Sequence, residues 1–233
     1  MQAAKLASVG ELAAGIAHEI NNPLAIIAEE VGVLRDSLDP ELADDDEPLD
    51  LAEHLSIIHE AVFRCRDITR KLLTFVRQAA VKLEVHHVHD ILNDVLDGML
   101  GNELSISNIE VVREFDERVQ RVLTDRNQMV QVFVNLFKNA MDAMPQGGTL
   151  KVTTTHRDGG MTISVADTGY GMTPEQMEKV FLPFFTTKEP GKGTGLGLSV
   201  SCTIIGNFGG RCYVESESGK GSTFTIELPY EMK

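Results

Sequence analysis

The sequence predicts an α+β protein in which a dimeric antiparallel helical hairpin precedes an α/β sandwich. Two observations predict the hairpin: apolar residues recur in steps of three and four before residue 39, and again as heptads from residue 51. The sandwich is predicted because helical and strand-like patterns mix after residue 81. We therefore divide the chain into a hairpin domain, residues 1–80, and a second domain, residues 81–233.

Composition and charge exclude several kinds of partner. The 233 residues include 35 acids and 21 bases, a formal net charge of −14, which argues against binding to nucleic acid or to an anionic membrane surface. Three cysteines without a C-x-x-C pair favour a reducing, cytoplasmic compartment over a disulfide framework. No apolar run approaches the ~20 residues that cross a bilayer. Because the helical pattern is already present at the first residues, we expect a fragment of a longer protein, with any sensor or membrane anchor upstream.

The two predicted helices of the hairpin each carry an apolar stripe. An acidic, proline-containing turn at residues 39–50 separates them. Two antiparallel helices cannot bury both stripes between them, so we expect a homodimer that forms a four-helix bundle. The stripes consist of Leu6, Val9, Ala13, Ile16, Ile20, Leu24, Ile27, Val31, Leu34 and Leu38 in the first helix, and Leu51, Leu55, Ile58, Val62, Cys65, Thr69, Leu72 and Val76 in the second.

One histidine of the first helix does not fit the stripe. At ~100° per residue, His18 lies about 200° from the stripe residues two positions before and after it, so its imidazole faces away from the bundle core. Asn22 shares that outward face and Glu19 flanks it, while Pro23 predicts a kink one turn beyond. From the helix alone, a reactive histidine and an ordinary solvated one explain the pattern equally well.

The second domain is predicted to place helices on one face of a mixed sheet. Its first residues include His86, His87 and His89, but no carboxylate or thiol accompanies them at ligand spacing, so a metal site there is disfavoured. The predicted helices are 91–100, 126–144 with Asp125 as N-cap, and 198–208, and the predicted strands are 109–112, 119–123, 149–155, 161–166, 211–215 and 222–228.

Two stretches of this domain carry side chains suited to a nucleotide. Asn135 and Asn139 lie one helical turn apart among apolar neighbours, where their amide oxygens could ligate a divalent cation that phosphates also bind, although a pair of surface asparagines is the alternative. Asp167 follows a strand and begins the run Asp-Thr-Gly-Tyr-Gly. Its carboxylate could accept the exocyclic amine of adenine, and Gly169 and Gly171 would allow close backbone approach.

Two further stretches are suited to phosphate. The aromatic run that begins at Phe181 could anchor a mobile lid, and Lys188 at its end could reach a phosphate. The following glycine-rich stretch leads into a helix whose N-terminus favours an anion. Its spacing matches neither a P-loop nor a dinucleotide fingerprint. The candidate residues in this stretch are Gly193, Thr194, Gly195, Leu196 and Gly197.

These stretches together resemble a known family. Residues 17–24, Ala-His-Glu-Ile-Asn-Asn-Pro-Leu, are similar to the phospho-acceptor box of the sensor histidine kinases of two-component signalling. The four later stretches resemble, in order, the N, G1, F and G2 boxes of the ATP-binding domain of that family. The resemblance covers essentially the whole chain and implies a Bergerat-type sandwich behind the dimeric hairpin.

The resemblance implies the cofactors and their ligands. Asn139, with Asn135, would hold Mg²⁺ and the triphosphate of ATP. Asp167 would read adenine with help from the hydroxyl of Ser222, and residues 168–197 would form the lid. Lys138 and Lys188 would be further phosphate contacts.

The resemblance also implies a reaction and a partner. His18 would attack the γ-phosphate with Glu19 steadying the imidazole proton, and the phosphoryl group would pass to an aspartate of a response-regulator receiver domain. Asn22 would position a water that dephosphorylates the regulator. Two alternatives remain. An ATPase clamp of the gyrase type would need a glutamate where Asn135 stands. A non-enzymatic dimeric scaffold is disfavoured by the presence of Asn139 and Asp167.

Overall fold

A computed structural model describes residues 2–38, 50–76, 82–188, 193 and 195–231, and in the first two helices the side chains of residues 20–38, 50–66 and 69. The chain divides into two compact units, Met1–Ala79 and Ala80–Lys233. The first is a helical hairpin and the second combines helices with a mixed sheet. The predicted α+β class is confirmed.

The hairpin consists of α1 (Gln2–Ser37) and α2 (Leu51–Val76), which pack against each other. Pro23 lies inside α1 and is buried, and the predicted kink there stays a prediction. His54 Nδ1 of α2 lies 2.5 Å from Glu30 Oε2 of α1 and ties the two helices together. Residues 39–49 of the predicted turn lie outside the described part, but Asp50 Oδ1 accepts from the N–H groups of Ala52 and Glu53, at 3.1 Å each, and so caps α2.

Several stripe residues of the hairpin remain exposed within one chain. Leu55 and Val62 of α2 are 51% and 50% exposed, and Leu24 and Val31 of α1 are 48% and 50% exposed. The single hairpin therefore leaves about half of each of these apolar side chains uncovered.

The second unit contains a five-stranded sheet in the order β2-β4-β5-β7-β6, in which β2 and β4 are parallel and all other neighbours antiparallel. A separate pair joins β1 and β3. The strands are β1 (Glu84–His86), β2 (Ile109–Phe115), β3 (Val122–Thr124), β4 (Gly148–Arg157), β5 (Gly160–Asp167), β6 (Arg211–Glu217) and β7 (Gly221–Pro229). The helices are α3 (Val88–Asn93), a π-helix (Asp94–Met99), α4 (Gly101–Ile106), α5 (Arg126–Ala143), α6 (Pro174–Lys179) and α7 (Gly197–Asn207).

The core of this unit lies between the sheet and the pair α5 and α7, which contact each other. On β5, Met161, Ile163 and Val165 are buried, whereas the alternate residues are only half-buried. This period of two turns one face of the strand into the core. Asp167 occupies the next position of the buried series, so the sheet itself brings a carboxylate to the core edge.

The N-cap of α5 is confirmed, because Asp125 Oδ1 accepts from the N–H groups of Asn127 and Gln128 at 2.9 and 3.1 Å. Three short elements, β1, α4 and α6, were not predicted, and the predicted helix 91–100 is divided into α3 and the π-helix. They span three to six residues, too few to show a period. His87 caps α3 by accepting from the backbone of His89, and His89 Nε2 lies 2.8 Å from Thr154 Oγ1.

Candidate nucleotide-binding and phospho-acceptor sites

Asp167 is a buried carboxylate held by backbone N–H groups. Its Oδ1 accepts from Gly169 N at 2.9 Å and from Ser222 N at 3.3 Å, and Ser222 is its partner in the β5–β7 register. Burial raises the pKa of Asp167 above its ordinary 3.8, and the two backbone hydrogen bonds counteract part of this shift. Both bonds use Oδ1, so the carboxyl group is fixed in orientation through one of its two oxygens.

A pair of serines lies beside this carboxylate. Ser216 Oγ accepts from Met172 N at 2.8 Å and donates to Gly221 O at 2.8 Å. Because its proton is directed to that carbonyl, Ser222 Oγ, 3.0 Å away, is the donor in the contact between the two hydroxyls. The remaining lone pair of Ser222 Oγ can then accept from a ligand.

The glycines after Asp167 allow protein backbones to approach one another. A Cβ at Gly169 would lie 2.4 Å from the carbonyl oxygen of Ala143, at the end of α5. Gly171 has a φ of +66°, and a Cβ there would lie 2.1 Å from Glu217 O. Close packing against α5 and β6 therefore requires these two glycines. From the sequence, they were predicted only to let the backbone approach the ligand.

Asn135 fastens α7 to α5. Its Nδ2 donates to Gly197 O at 3.0 Å and to Ser201 Oγ at 3.2 Å, both in the first turns of α7. Asn139 is half-buried one turn further along α5. The side-chain nitrogen of Asn135 therefore already donates to α7, whereas a metal ion would bind the side-chain oxygen of Asn135 or Asn139.

The two candidate lysines both pair with acids. Lys188 Nζ bonds Asp142 Oδ2, which brings the end of the aromatic run beside the C-terminal half of α5. Lys138 Nζ lies 3.6 Å from Glu103 Oε2 of α4, and both side chains are about half exposed. Exposed pairs of this kind are weak, at about 0–1 kcal/mol, so either lysine could exchange its acid for a phosphate.

The aromatic run and the glycine-rich stretch meet through their backbones. Phe184 N donates to Gly195 O at 3.0 Å, and a Cβ at Gly195 would lie 2.3 Å from the Phe184 carbonyl carbon. Both residues have positive φ, +66° and +61°. A non-glycine residue such as Phe184 is uncommon in this region, which marks the contact as a strained one.

The remaining candidates are only partly described. Residues 189–192 and Thr194 lie outside the described part of the chain. Leu196 is buried, and its hydrocarbon side chain caps none of the first N–H groups of α7. His18 and Glu19 lie within α1, but their side chains are not described, so the outward orientation of the imidazole stays a prediction. Asn22 is half-buried.

Two family models match the chain in succession. The one described as "His Kinase A (phospho-acceptor) domain" matches residues 8–81. The one described as "Histidine kinase-, DNA gyrase B-, and HSP90-like ATPase" matches residues 124–232. The chain belongs to the sensor histidine kinases. The prediction of this family from the sequence is confirmed.

Individual kinases are similar over nearly the whole chain. "Sporulation kinase E" of Bacillus subtilis (strain 168) is 37% identical over 95% of this chain and 28% of its own length. "Sensor kinase CckA" of Brucella abortus (strain 2308) is 39% identical over 98% of this chain and 25% of its own. This histidine kinase sequence therefore spans about a quarter of the length of these curated relatives.

Solved kinase structures are similar as well. Histidine kinase ThkA, in a crystal structure with response regulator protein TrrA, is 28% identical with a TM-score of 0.77, covering 99% of this chain and 64% of that one. The catalytic domain of ThkA alone is 32% identical with a TM-score of 0.58, covering 64% of this chain and 96% of that domain. None of the described helices of our chain has the length and hydropathy needed to cross a bilayer.

The N box of this histidine kinase contacts each of the other three boxes. It contacts the G2 box through Asn135 and Gly197, the F box through Asp142 and Lys188, and the G1 box through Ala143 and Gly169. The F and G2 boxes meet at Phe184 and Gly195. Ser216 and Asp142 were not predicted from the sequence. A β6–β7 hairpin register would have found Ser216 opposite Ser222, and helical spacing would have placed Asp142 three residues after Asn139.

Proposed function

We propose that this chain uses ATP and Mg²⁺ to phosphorylate its own His18, and that it then transfers the phosphoryl group to an aspartate of a response-regulator receiver domain. The observation that supports this best is that one chain contains a phospho-acceptor hairpin and a unit in which the N box contacts each of the other three ATP boxes. The family match alone supports ATP use by the second unit.

Adenine is read by Asp167 and Ser222. The Oδ1 atom of Asp167 already holds two backbone N–H groups, which leaves Oδ2 to accept the exocyclic amine. Ser222 Oγ donates to Ser216 and accepts from the ligand or from a bridging water. The ionised form of Asp167 is the acceptor, although burial raises its pKa.

Asn139 is the principal Mg²⁺ ligand in this proposal, and Asn135 serves mainly to hold α7. The amide oxygens and the triphosphate form a hard, oxygen-only donor set, which suits Mg²⁺. The bound ion would neutralise charge that develops on the phosphoryl group. We assign the phosphates to backbone N–H groups at the start of α7. The residues that would donate them are Gly193, Thr194 and Gly195, which precede the helix, and Gly197, which begins it.

Phosphorylation of His18 needs a neutral imidazole. One ring nitrogen bonds the γ-phosphorus, the bond to the bridging oxygen breaks, and ADP leaves. Glu19 accepts or steadies the proton on the other nitrogen, which keeps the attacking nitrogen unprotonated. Lys188 and Lys138 can release Asp142 and Glu103 to contact the phosphates.

The receiver domain is inferred from a relative, because ThkA was solved together with a response regulator protein. Asn22, one turn beyond His18, is assigned to position the water that hydrolyses the phosphorylated regulator. We further propose that the chain forms a homodimer through the exposed stripe of the hairpin, and that the catalytic portion is cytoplasmic.

Incubation with γ-labelled ATP tests the function. The kinase predicts an acid-labile label retained on the chain. His18→Gln should abolish this label while ATP affinity stays nearly unchanged, because the hairpin does not contribute the adenine site. His59→Gln, at an exposed histidine of α2, is the matched control and should label like the unaltered chain.

The alternatives give different results in the same experiment. An ATPase clamp releases labelled phosphate without labelling the protein. A scaffold with a degenerate nucleotide domain does neither. Labelling that survives His18→Gln would overturn the assignment of the acceptor.

A further inference from the structure

Two cysteines face a shallow apolar cavity between α5, α7 and the edge of the sheet. The cavity is lined by Leu136, Phe181, Leu198, Cys202, Cys212 and Ile226, among others. Neither thiol is in a disulfide, and each is half-buried. The ATP boxes do not account for either cysteine.

The fold directs both thiols to the same place. Cys202 shares one face of α7 with Leu198, four residues earlier, and both line the cavity. On β6, Cys212 is half-buried between the exposed residues Arg211 and Tyr213, so it points to the helix side of the strand. Between the two cysteines the chain turns at Gly209 and Gly210, and a Cβ at Gly210 would lie 2.4 Å from Glu227 O.

The two thiols line the same cavity and shift each other's pKa in opposite directions. Interaction with the Cys202 thiol lowers the pKa of Cys212 although burial opposes the shift. Interaction with Cys212, together with burial, raises the pKa of Cys202. One sulfur is therefore the better nucleophile and the other retains its proton.

We propose that Cys202 and Cys212 are a dithiol site for hydroperoxides, which convert the pair into an intramolecular disulfide. With hydrogen peroxide, the Cys212 thiolate attacks one peroxide oxygen, the O–O bond breaks, and the leaving hydroxide takes a proton from the solvent to form water, whereas an organic hydroperoxide releases its alcohol in place of this water. The Cys202 sulfur then attacks the sulfenic sulfur of Cys212, the S–O bond breaks, and a second water leaves with the Cys202 proton. The two sulfurs lose two electrons, which reduce the peroxide.

A metal site is a weaker reading of the same pair. Two thiolates are half of the four ligands that zinc takes in structural sites. In the part of the chain that the structure describes, no group of three or more histidine, cysteine or acidic side chains is placed to hold a metal. Oxidation needs only the two sulfurs and a co-reactant.

The disulfide would also act on the nucleotide site, a consequence that rests on the proposed function. A disulfide holds its two sulfurs about 2 Å apart, well inside the contact distance of two separate thiols. This shift draws α7 toward β6 and strains the 3.0 Å bond from Asn135 Nδ2 to Gly197 O at the start of α7. We therefore expect oxidation to lower the affinity for Mg-ATP about tenfold, the effect of losing roughly one hydrogen bond.

Hydrogen peroxide treatment of the 233-residue chain, followed by mass spectrometry of the intact protein and its peptides, tests the site. The expected result is a loss of two hydrogens, reversed by dithiothreitol, with Cys202 and Cys212 in one cross-linked peptide pair. Cys65→Ser should behave identically. Cys202→Ser should instead stop at a sulfenic acid on Cys212 that dimedone traps. Free thiols at both positions after treatment, or pairing with Cys65, would overturn the proposal.

Mg-ATP affinity measured on the reduced and oxidised chains tests the coupling. The oxidised chain should bind more weakly, dithiothreitol should restore binding, and peroxide should leave the affinity of the Cys202→Ser variant unchanged. Equal affinity of the two forms would refute the coupling. Absence of binding even in the reduced chain would instead count against the proposed function.

Discussion

Asp167, which we propose as the adenine acceptor, carries a buried charge that does not favour folding. Its pKa is raised by burial, so the folded protein binds this proton more tightly than the unfolded chain does. Stability from this group is therefore greatest below pH 3.8 and is lost as the pH rises through the raised pKa. At neutral pH the buried carboxylate is unfavourable for folding, which is typical of a group kept for binding.

Asp167→Asn should separate binding from stability. The amide oxygen can still accept from Gly169 and Ser222, while the buried charge is gone, so the free energy of unfolding at pH 7 should be unchanged or rise by up to about 1 kcal/mol. ATP affinity should fall about tenfold or more, because a charged acceptor is lost. Denaturant unfolding and nucleotide titration measure the two effects. Asp158→Asn, in the exposed β4–β5 turn, should change neither, and a variant that binds ATP normally would contradict the adenine assignment.

Gly171→Ala tests whether close packing requires a glycine in the G1 box. Gly171 combines a φ of +66° with a Cβ position 2.1 Å from Glu217 O. Gly159 has a φ of +82°, but nothing lies within 4 Å of its Cβ position. We expect Gly159→Ala to lower the free energy of unfolding by about 1 kcal/mol and Gly171→Ala by about 2 kcal/mol or more. Equal losses in denaturant unfolding would show that the Glu217 contact relaxes freely.

The contact between α5 and α7 connects the boxes at the level of helices. Asn135 donates twice to the first turns of α7, and Lys188 returns to α5 through Asp142. Since α7 begins at Gly197, the position of its N-terminus depends on a side chain of another helix. The N box therefore has a structural duty besides the metal binding that we propose for it.

Substitutions of the two asparagines should separate these duties. Asn139→Ala should weaken binding of ATP only in the presence of Mg²⁺, because it removes a metal ligand. Asn135→Ala should weaken binding about tenfold with Mg²⁺ and with a chelator alike, because α7 loses its anchor. Isothermal titration in both conditions distinguishes the cases, and Asn127→Ala, exposed in the first turn of α5, is the control. The reverse pattern would exchange the two roles.

The hairpin as a unit leaves apolar surface that its own two helices do not cover. Leu55, Val62, Leu24 and Val31 are each about half exposed in the single chain. A second copy of the chain could cover these residues on both partners, since a two-fold interface buries the same surface of each. Assembly as a four-helix bundle therefore explains an exposure that would otherwise favour aggregation.

Leu55→Asp should dissociate the proposed dimer. The substitution places two carboxylates in one apolar interface and removes two buried leucines, so the dimer dissociation constant should rise at least about 100-fold. Analytical ultracentrifugation over a concentration series measures it. Leu182→Asp, at a residue 55% exposed in the second unit, should leave the constant unchanged. A Leu55→Asp chain that remains dimeric at the same concentrations would refute the bundle.

Long periodic segments and dense motifs were predictable from the sequence. Apolar heptads from Leu51 to Val76 predicted the second helix, which covers these residues, and Asp125 was predicted to cap α5. Both follow from local rules, a repeat of three and four residues and the geometry of a cap, which need no knowledge of distant contacts. The family could be predicted for the same reason, because its boxes are contiguous stretches of residues.

Tertiary structure alone decided which partners these residues take. Asn135 bonds α7 from 62 residues away in sequence, and Ser216 supports Ser222 only because β6 and β7 pair in one register. Cys202 and Cys212 likewise line one cavity only because the chain turns back at Gly209 and Gly210, between α7 and β6. Such contacts depend on packing between elements that are separate in sequence, and no local period or propensity encodes them.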